Sequence, residues 1–530
     1  MSGQQSTHSA NQQLDSFSLD ICILGSPDYA RYLAAILRSS AAASHYKNMQ
    51  ITSTSPMEAR SKVFSERPDV LIAHIDARMA VSDLVWLRAL LSQLRERFDN
   101  DIYIIIALSN PLKLTYVGAL LFKDSSSLKP SGLIDNVAIA PPSGMPTIAT
   151  LEQQLLDLLP LVISEMKRRE SGQCPLPHLW EDDWVPIMCD PKSQHTWMQW
   201  LPRYASYTNE NALIIGPTGS GKTRLARALH KLSQRRGPFV SITPRDFSST
   251  ELVQAELFGA VAGAYTGAVE KWGLVKLADS GTLFIDELQS IDQDLQGKLI
   301  TFIENKIYRR VGEADSHVAD VRFIFATNRP LHELVETGCI REDFAYRLER
   351  LQLFLSSIDT RRLDIAAGAS FSLAKVLIER AYSSKTDSQH QLAEPVSVEG
   401  LTEDAYRLLI SATWPGNLRQ LENTIARLVE LADIKNSRLI DFECMNTAMN
   451  DLLREPELTP RDVFREAALL TAASVANHQV DSLETCLMEL EENIRNKALE
   501  LAGGDIEVAA KFIKDSKKAM ELFSATRQLL

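Results

Sequence analysis

A strand-loop-helix sequence near the middle of the chain sets the strongest constraint on its fold. The apolar run NALIIG (211–216) leads into Gly216-Pro-Thr-Gly-Ser-Gly221-Lys222-Thr223 and then into the helical sequence RLARALHKL. This is the pattern G-x-x-x-x-G-K-[ST] in the context that a phosphate-binding loop needs. Glycines let backbone N–H groups surround phosphates, Lys222 reaches the outer phosphates, and Thr223 can bind Mg²⁺. The predicted nucleotide site consists of Gly216, Pro217, Thr218, Gly219, Ser220, Gly221, Lys222 and Thr223.

A second apolar run, further along the chain, ends in two adjacent acids. It reads Gly281-Thr-Leu-Phe-Ile-Asp286-Glu287. Phosphoryl transfer needs one group that positions the metal ion and another that polarises the attacking water, and we assign these roles to Asp286 and Glu287. By itself, such a run would equally fit a strand with a polar cap.

Two arginines are candidates for stabilising the transferred phosphate, because phosphoryl transfer gains most from nearby cations. Arg341 and Arg347 lie in Ile340-Arg-Glu-Asp-Phe-Ala-Tyr-Arg-Leu348. Their spacing does not require them to share a helical face with the phosphate loop, so action across a subunit boundary is one interpretation. Ordinary surface arginines are the other.

The composition limits the kind of protein that surrounds this site. A chain of 530 residues is long enough for several domains, each with its own core. The six cysteines are widely separated and lack the spacing of a zinc site. The net charge of −12 argues against a surface covered with non-specific nucleic-acid contacts, so any DNA contact is expected to be local. No signal peptide or long apolar run is recognisable, which predicts a cytoplasmic protein without membrane association.

The pattern of apolar residues divides the chain into three predicted domains. Residues 19–168 alternate β-rich runs with amphipathic stretches, which predicts an α/β doubly wound parallel sheet. Residues 181–357 alternate again, and residues 358–450 are helical with a break at Trp414-Pro-Gly416, which predicts an α/β core with a helical lid. The β-rich runs of the first domain are DICILG (20–25), NMQIT (48–52), DVLIAHI (69–75), DIYIIIAL (101–108) and GLIDNVAIA (132–140). The remaining predicted segments are a disordered N-terminus (1–18), a linker (169–180), a linker helix (451–480) and a C-terminal all-α domain (481–530).

A third motif lies between the two parts of the nucleotide site. Glu256-Leu-Phe-Gly259 is followed by the hexapeptide Gly263-Ala-Tyr-Thr-Gly-Ala268. With it, residues 180–435 resemble the AAA+ domain of sigma-54-dependent enhancer-binding proteins, whose GAFTGA loop contacts sigma-54 at the pore of a ring. The resemblance implies ATP and Mg²⁺ as cofactors and a sigma-54 contact made by Gly263, Ala264, Tyr265, Thr266, Gly267 and Ala268. Small residues give such a loop flexibility and the aromatic ring gives it contact area, whereas the alternative is a Gly-Ala turn with a buried tyrosine.

Further matches follow in the order of the family. Ala326-Thr327-Asn328-Arg329 resembles the sensor I segment and implies that Thr327 and Asn328 lie near the outer phosphate. The segment 340–348 resembles the arginine-finger stretch, which implies that Arg341 and Arg347 complete a neighbour's site. Trp414-Pro-Gly-Asn-Leu-Arg419 resembles the sensor II motif, in which Arg419 reports the nucleotide state to the lid.

The sequence also departs from the family pattern at several positions. Thr243 stands where the family has an asparagine that holds the catalytic glutamate, so the coupling of ligand sensing to that glutamate is expected to differ. Ala260-Val-Ala262 replaces polar residues before the loop, and Arg361-Arg-Leu-Asp364-Ile replaces the usual R-x-E-D-I. None of these changes removes a residue needed for hydrolysis.

The N-terminal pattern resembles a response-regulator receiver without the receiver's chemistry. Gly25 and Ser26 stand in place of the acidic pair, His74 in place of the phosphate acceptor, and Ala140 in place of the lysine. Aspartyl phosphorylation is therefore disfavoured. We expect a degenerate receiver-like domain that is controlled by a partner or a small ligand, with Asp76 as a loop cap.

The C-terminal sequence resembles a Fis-type helix-turn-helix. Ala509 and Ala510 would let two helices approach closely, and a helix over 517–529 would enter the major groove. The predicted DNA-binding residues are Lys514, Lys517, Lys518 and Arg527. A helical hairpin used for dimerisation is the alternative, because Lys514 takes a turn position that usually carries glycine.

These patterns together imply an ATP hydrolase that activates transcription. The implied partners are sigma-54 RNA polymerase, enhancer DNA and further copies of the chain, from a dimer to a hexamer. One alternative is a DNA-binding regulator that uses the ATPase domain as a ligand sensor without sigma-54. Another is a remodelling ATPase with no role in transcription.

Overall fold

The computed structural model describes seven stretches of the chain, and all but the last residue of them fall in one unit that ends at Ala448. The described stretches are 20–39, 56–99, 101–124, 127–145, 148–173, 189–386 and 398–449. The predicted helix-turn-helix, with Lys514, Lys517, Lys518 and Arg527, lies outside the described residues. So does the second β-rich run of the N-terminal domain, 48–52.

The N-terminal domain is a parallel sheet with helices against it. Its elements are β1 (Ile21–Leu24), α1 (Pro27–Ser39), α2 (Pro56–Glu66), β2 (Val70–Ile75), α3 (Val81–Phe98), β3 (Tyr103–Leu108), a 3₁₀ turn (Pro111–Lys113), α4 (Leu114–Leu121), β4 (Phe122–Asp124), β5 (Ser127–Pro130), β6 (Asn136–Ile139) and α5 (Leu151–Glu170). The sheet has the order β1-β2-β3-β6, and all its pairings are parallel. Every residue of β3 is buried, as expected for a strand covered on both faces. The four predicted β-rich runs that fall within the described residues contain β1, β2, β3 and β6, one strand in each run.

Two features of this domain differ from the sequence-based expectation. The stretch between β3 and β6 forms the helix α4, which agrees with the amphipathic stretch expected there, but it also forms a β4–β5 hairpin, which the sequence pattern did not indicate. The helix α5 continues through Glu170, although a linker was expected from residue 169. Its charged end has structural partners, since Arg169 lies 2.6 Å from Asp135 and 2.9 Å from Glu165, both of which are buried.

The central domain is a second α/β unit. Its elements are α6 (Pro191–Gln194), a π-helical turn (His195–Trp200), α7 (Leu201–Ala205), β7 (Ala212–Ile215), α8 (Lys222–Leu232), β8 (Phe239–Ile242), a 3₁₀ turn (Pro244–Asp246), α9 (Thr250–Phe258), β9 (Gly259–Ala260), β10 (Lys271–Trp272), α10 (Leu274–Leu277), β11 (Thr282–Ile285), a 3₁₀ turn (Leu288–Ser290), α11 (Gln293–Asn305), β12 (Ile307–Tyr308), β13 (His317–Val318), β14 (Arg322–Thr327), α12 (Leu331–Glu336), α13 (Glu342–Leu348) and β15 (Gln352–Phe354). The five-stranded sheet has the order β15-β7-β14-β11-β8 and is parallel throughout. The carboxyl ends of β7, β11 and β14 therefore meet at one edge, where α/β sheets bind ligands.

A helical lid follows the central sheet. Its elements are a 3₁₀ turn (Ile358–Thr360), α14 (Arg362–Thr386), β16 (Gly400–Leu401), α15 (Glu403–Ser411), α16 (Asn417–Ile434), β17 (Leu439–Ile440) and α17 (Phe442–Met449). The predicted break at Trp414-Pro-Gly416 separates α15 from α16. Trp414 is fully buried and donates its indole N–H to the carbonyl of Leu409 at 3.2 Å, which fixes this corner. The short parallel pairing of β16 with β17 was not predicted.

The N-terminal domain packs against both the central sheet and the lid. A single cluster of buried apolar side chains joins the two domains. It includes Ile105 of β3, Leu158 of α5, Trp197 of the π-helical turn and Ile214 of β7. On the lid side, α4 lies against α14 so closely that a Cβ on Gly118 would be 2.0 Å from the Ser370 carbonyl oxygen. The predicted fold class, two α/β units followed by a helical lid, is confirmed for the described residues.

Candidate functional site

The phosphate loop connects β7 to α8. Gly219 and Gly221 have φ angles of +75° and +106°, which glycine adopts without the strain that a Cβ would cause. Gly221 is the N-cap of α8, so the N–H groups of the first turn remain available to an anion. The Ser220 hydroxyl is buried without a hydrogen-bond partner within the described structure. The loop therefore offers unpaired donors where the motif predicts phosphates.

A cavity of about 250 Å³ lies over this loop, between the central sheet and the lid. Its lining residues are Thr218, Gly219, Gly221, Lys222, Thr223, Arg224, Asp286, Glu287, Gln289, Asn328, Leu418, Arg419 and Glu422. The structure thus brings together the predicted loop, the predicted acids of β11, the sensor I residue Asn328 and the sensor II residue Arg419.

The Lys222 side chain lies along the loop. Its ammonium donates hydrogen bonds to the carbonyl oxygens of Gly216 at 2.9 Å and Pro217 at 3.2 Å. Burial lowers the pKa of Lys222, and the nearby Asp286 and Glu287 carboxylates oppose that shift. The cavity therefore contains a lysine ammonium close to two acids, which is the charge arrangement that a metal-bound triphosphate fits.

The two acids differ in backbone conformation. Asp286 directly follows β11 and accepts the Glu287 N–H at 2.9 Å. Glu287 has a φ of +55°, a left-handed value that is uncommon for residues other than glycine. Strained backbone of this kind is found mainly at sites where a side chain must be held in a required direction. Here it accompanies a glutamate whose side chain is one-third exposed in the cavity wall.

The groups for a magnesium ion are present. The Thr223 hydroxyl and the Asp286 carboxylate line the same cavity, and Mg²⁺ prefers such oxygen ligands together with phosphates and water. Within the described part of the chain, no group of three or more His, Cys, Asp or Glu side chains is placed to hold a metal ion alone. The protein contribution thus fits an ion that arrives with a nucleotide.

The two predicted arginine fingers do not line this cavity. Arg341 pairs with Asp343 at 2.7 Å, and Arg347 pairs with Glu304. Arg341 instead forms part of the wall of a separate cavity of about 780 Å³ beside α11. Action of Arg341 and Arg347 on a neighbouring subunit therefore stays a prediction.

Three contacts of the site were not anticipated from the sequence. Arg224 of α8 pairs with Glu422 of the lid at 3.1 Å, and both line the cavity. Arg245 lies 3.6 Å from the Glu287 carboxylate. The Thr327 hydroxyl donates to Gln289 at 3.2 Å. No local sequence signal marks these residues, because each contact joins separate segments of the chain.

The Gly263–Ala268 loop stands on the antiparallel pair of β9 and β10. Gly263 and Gly267 have φ angles of +81° and +83°, and a Cβ at either position would contact no described atom within 4 Å. Thr266 is exposed and Tyr265 is partly exposed. The tyrosine is therefore not the buried side chain of the alternative interpretation, and the loop presents its polar and aromatic tip to solvent.

Among the described residues, the carboxyl edge of the N-terminal sheet does not combine the acidic pair, aspartate acceptor and lysine of a phosphorylation site. The His74 ring stacks on Tyr29 with centroids 3.6 Å apart, and a Cβ on Gly25 would lie 2.9 Å from the His74 Cβ. Burial lowers the pKa of His74 to about 4, so the ring is neutral. Asp76 accepts the Arg78 N–H at 2.8 Å, as expected of a loop cap. The Ala140 carbonyl oxygen accepts the Tyr406 hydroxyl of the lid at 2.9 Å.

The sequence of the central part matches two known domain families. Residues 188–354 match the sigma-54 interaction domain, and residues 378–455 match the AAA+ ATPase lid domain. Among the described residues, no helix combines the length and the apolar character that crossing a bilayer requires.

Curated relatives match less than half of the chain. The chain is 39% identical over 226 residues to the alginate biosynthesis transcriptional regulatory protein AlgB of Pseudomonas syringae pv. tomato, covering 42% of this chain and 47% of that protein. It is 37% identical over 252 residues to the luminescence regulatory protein LuxO of Vibrio campbellii, covering 46% and 51%. It is 34% identical over 247 residues to the Nif-specific regulatory protein of Herbaspirillum seropedicae, covering 46% and 43%. The chain therefore spans about half the length of the curated relatives it matches.

A solved structure aligns over a longer range but with low similarity. The crystal structure of NtrX from Brucella abortus in complex with ADP is 19% identical and covers 95% of this chain and 98% of its own, with a TM-score of 0.44. The similarity to known proteins lies in the two domain matches, which contain the phosphate loop, the β11 acids and the loop at 263–268. Residues 188–354 thus have the sequence of a sigma-54 interaction domain, and residues 378–455 have that of an AAA+ ATPase lid domain.

Proposed function

We propose that this chain is an ATP hydrolase that remodels sigma-54 RNA polymerase and thereby activates transcription. The observation that carries the proposal is the convergence of Lys222, Asp286, Glu287 and Arg419 on one cavity, in the same domain that holds the Gly263–Ala268 loop away from its core. A hydrolytic site and a flexible loop in one small domain provide a source of energy and a part that moves.

The residues of the cavity take the following roles. The loop N–H groups and Lys222 bind the phosphates, and Arg419 links them to the lid. Glu287 orients and polarises the attacking water. Asp286 and Thr223 hold the magnesium ion, which when bound neutralises charge that develops on the phosphates. Asn328 faces the same space and supports the outer phosphate.

Assembly into a ring completes this site. Arg341 and Arg347 lie outside their own subunit's cavity, where a neighbouring subunit would present its phosphates to them. A guanidinium supplied in this way stabilises charge in the transition state. We therefore propose a homo-oligomer, up to a hexamer, as the active form.

Binding of enhancer DNA by the C-terminal segment is the remaining part of the proposal. It is supported by the basic residues Lys514, Lys517, Lys518 and Arg527 on a chain with a net charge of −12. AlgB is named as a transcriptional regulatory protein, which agrees with a role at promoters. Footprinting with and without the residues after 480 tests this part directly.

The test of the function separates hydrolysis from remodelling. We expect Thr266→Ala to retain ATP turnover and to lose open-complex formation with sigma-54 polymerase, because the change alters only the exposed loop. Thr266→Ser, which keeps the hydroxyl, is the matched control. Lys222→Ala should lose both activities, and Lys231→Ala, at an exposed lysine of the same helix, should retain both.

The same assay decides between the proposed function and its alternatives. Open complexes should form only when sigma-54 is present in the polymerase. Normal open-complex formation by Thr266→Ala would refute the role of the loop. Activation through polymerase without sigma-54 would favour a regulator that uses the ATPase domain as a ligand sensor.

A further inference from the structure

The pair formed by Arg361 and Asp364 has no part in the site described so far. Arg361 immediately precedes α14 and Asp364 lies in its first turn, where the central sheet passes into the lid. Their side chains are 2% and 0% exposed. A buried ion pair persists only when its remaining donors and acceptors are also satisfied, so the partners of this pair are informative.

The guanidinium of Arg361 holds the phosphate loop. One of its terminal nitrogens donates to the Ser220 carbonyl oxygen at 2.8 Å. Its Nε donates to the Ser356 carbonyl oxygen at 3.0 Å, and its other terminal nitrogen donates to Asp364 at 2.8 Å. Ser220 is two residues before Lys222. The planar fork of one arginine thus sets the position of the loop relative to the start of the lid.

The carboxylate of Asp364 holds the segment that leads into the central domain. It accepts the backbone N–H groups of Cys189 at 2.7 Å and Asp190 at 2.8 Å, and the Ser193 hydroxyl also donates to it. Burial raises the pKa of Asp364 to about 6, and the Arg361 guanidinium opposes that shift. The charge of Asp364 is therefore maintained by the same partners that it orders.

The other side of this segment contacts the N-terminal domain. Burial raises the pKa of the Cys189 thiol, so the thiol stays protonated, and it donates to the Gln154 side-chain oxygen at 3.8 Å. Gln154 belongs to α5, and its amide bonds both the N–H and the carbonyl of Ile139, at 3.1 and 2.8 Å. A continuous set of buried polar contacts thus connects β6 of the N-terminal sheet with the phosphate loop.

We propose that Arg361 and Asp364 are positioning residues of the nucleotide site, and that through Cys189 and Gln154 they make its ATP affinity depend on the seating of the N-terminal domain. The proposal rests on the proposed function, since it names the regulation of the same site. It assigns a role to the sequence Arg361-Arg-Leu-Asp364-Ile that the hydrolytic residues leave unexplained.

The first experiment compares two arginines that are adjacent in the chain. Arg361→Lys keeps the positive charge beside Asp364 but loses the fork that also reaches Ser220. We expect the Kd and the KM for ATP to rise about tenfold, the effect of one lost charge-assisted hydrogen bond, with kcat changed less than about twofold. Arg362→Lys is the matched control, because Arg362 donates to carbonyl oxygens of the lid, including that of Ile410 at 2.7 Å.

Each outcome of this comparison bears on the proposal. A Kd for ATP that stays at the wild-type value in Arg361→Lys would overturn it, as would an equal rise in Arg362→Lys. If Arg361→Lys unfolds, Ser193→Ala replaces it, since that change removes only the hydroxyl between Arg361 and Asp364. The expected rise is then about threefold, and an unchanged Kd again overturns the proposal.

The second experiment tests the connection to the N-terminal domain. Gln154→Met in the full-length chain should raise the Kd for ATP about threefold, and in the Arg361→Lys background it should add little, because both changes break one path. The connection would be contradicted if the rise in Kd of the double variant equalled the product of the rises in the two single variants. It would also be contradicted if Gln154→Met alone left the Kd unchanged. Calorimetry with a non-hydrolysable ATP analogue gives the Kd without turnover. A chain that binds the analogue but does not hydrolyse ATP would refute the proposed function and still test this pair.

Discussion

The molecule contains two parallel sheets whose carboxyl edges have opposite characters. At the edge of the central sheet, a cavity of about 250 Å³ is lined by a lysine, three acids and two arginines. At the corresponding edge of the N-terminal sheet, His74 stacks on Tyr29, Gly25 lies against it, and the carbonyl of Ala140 is bonded to Tyr406 of the lid. The same topology thus provides a chemical site in one domain and a packed contact in the other.

This difference shows that a parallel sheet supplies a place for chemistry but not the chemistry itself. The central edge places charged side chains around a loop that leads into a helix N-terminus. The N-terminal edge instead has a neutral imidazole packed against an aromatic ring and a glycine. The consequence is that perturbing the first edge should alter turnover, whereas perturbing the second should alter stability.

The largest effect is expected from Glu287, the residue proposed to polarise the attacking water. Glu287→Gln keeps the size and the hydrogen-bonding capacity of the side chain but removes the base that polarises water, so kcat for ATP should fall roughly 100- to 1,000-fold. The Kd for ATP should stay near the wild-type value in the same preparation. Turnover that remains within about tenfold of wild type would show that another group performs this role.

The next effect compares a glycine from each edge. Gly219→Ala places a Cβ 2.3 Å from the Gly416 carbonyl oxygen, on a backbone with φ of +75°. The Kd for ATP should therefore rise roughly tenfold or more, because the loop must shift. Gly25→Ala introduces a similar clash with His74 and should lower the melting temperature without changing that Kd. Equal effects of the two changes on ATP binding would remove the distinction between the edges.

A smaller effect concerns acid stability. The pKa of His74 is lowered to about 4 by burial, so between its ordinary value of 6.5 and 4 the unfolded chain binds a proton that the folded chain does not. The free energy of unfolding therefore falls as the pH falls through this range. His74→Phe should reduce the loss between pH 7 and pH 5 by about 2 kcal/mol, measured by denaturant titration.

The central domain contains the matched residue for this measurement. Burial lowers the pKa of His230 to about 4 as well, so the His74→Phe variant should keep part of its acid sensitivity. A variant that loses stability on acidification as much as wild type would place the titrating group elsewhere.

The last prediction is that a phosphoryl donor has no effect on the activity of the chain. Acetyl phosphate should leave ATP turnover and oligomeric state unchanged, because the N-terminal edge offers no acidic pair for Mg²⁺ and Asp76 is engaged as a loop cap. Mass spectrometry of the treated chain is the direct measurement. Incorporation of a phosphoryl group that alters turnover would restore the receiver chemistry to this domain.

The sequence predicted the parts of the site that are contiguous in the chain. The phosphate loop and the acids after β11 were recognisable because glycine, lysine and acid positions follow from the chemistry of one short segment. Arg245 beside Glu287 and the Arg224–Glu422 pair were not, since packing between distant segments decides such contacts.

The N-terminal fold was predictable to a similar degree. Runs of buried residues such as those of β3 indicate strands in a sheet covered on both faces. The β4–β5 hairpin was missed because its two strands, FKD and SLKP, are short and have no regular alternation of apolar and polar residues. Close contacts such as that between Gly118 and Ser370 belong to the tertiary structure alone.

The apolar cluster shared by the two sheets affects how this protein can be divided experimentally. Trp197 and Ile214 are buried together with Leu158 of α5. Cutting the chain between residues 173 and 189 would therefore expose apolar surface on both fragments. Truncated versions would tend to aggregate, and heat should melt both halves in one cooperative step. Substitutions in this shared cluster would therefore affect the solubility of both domains at once.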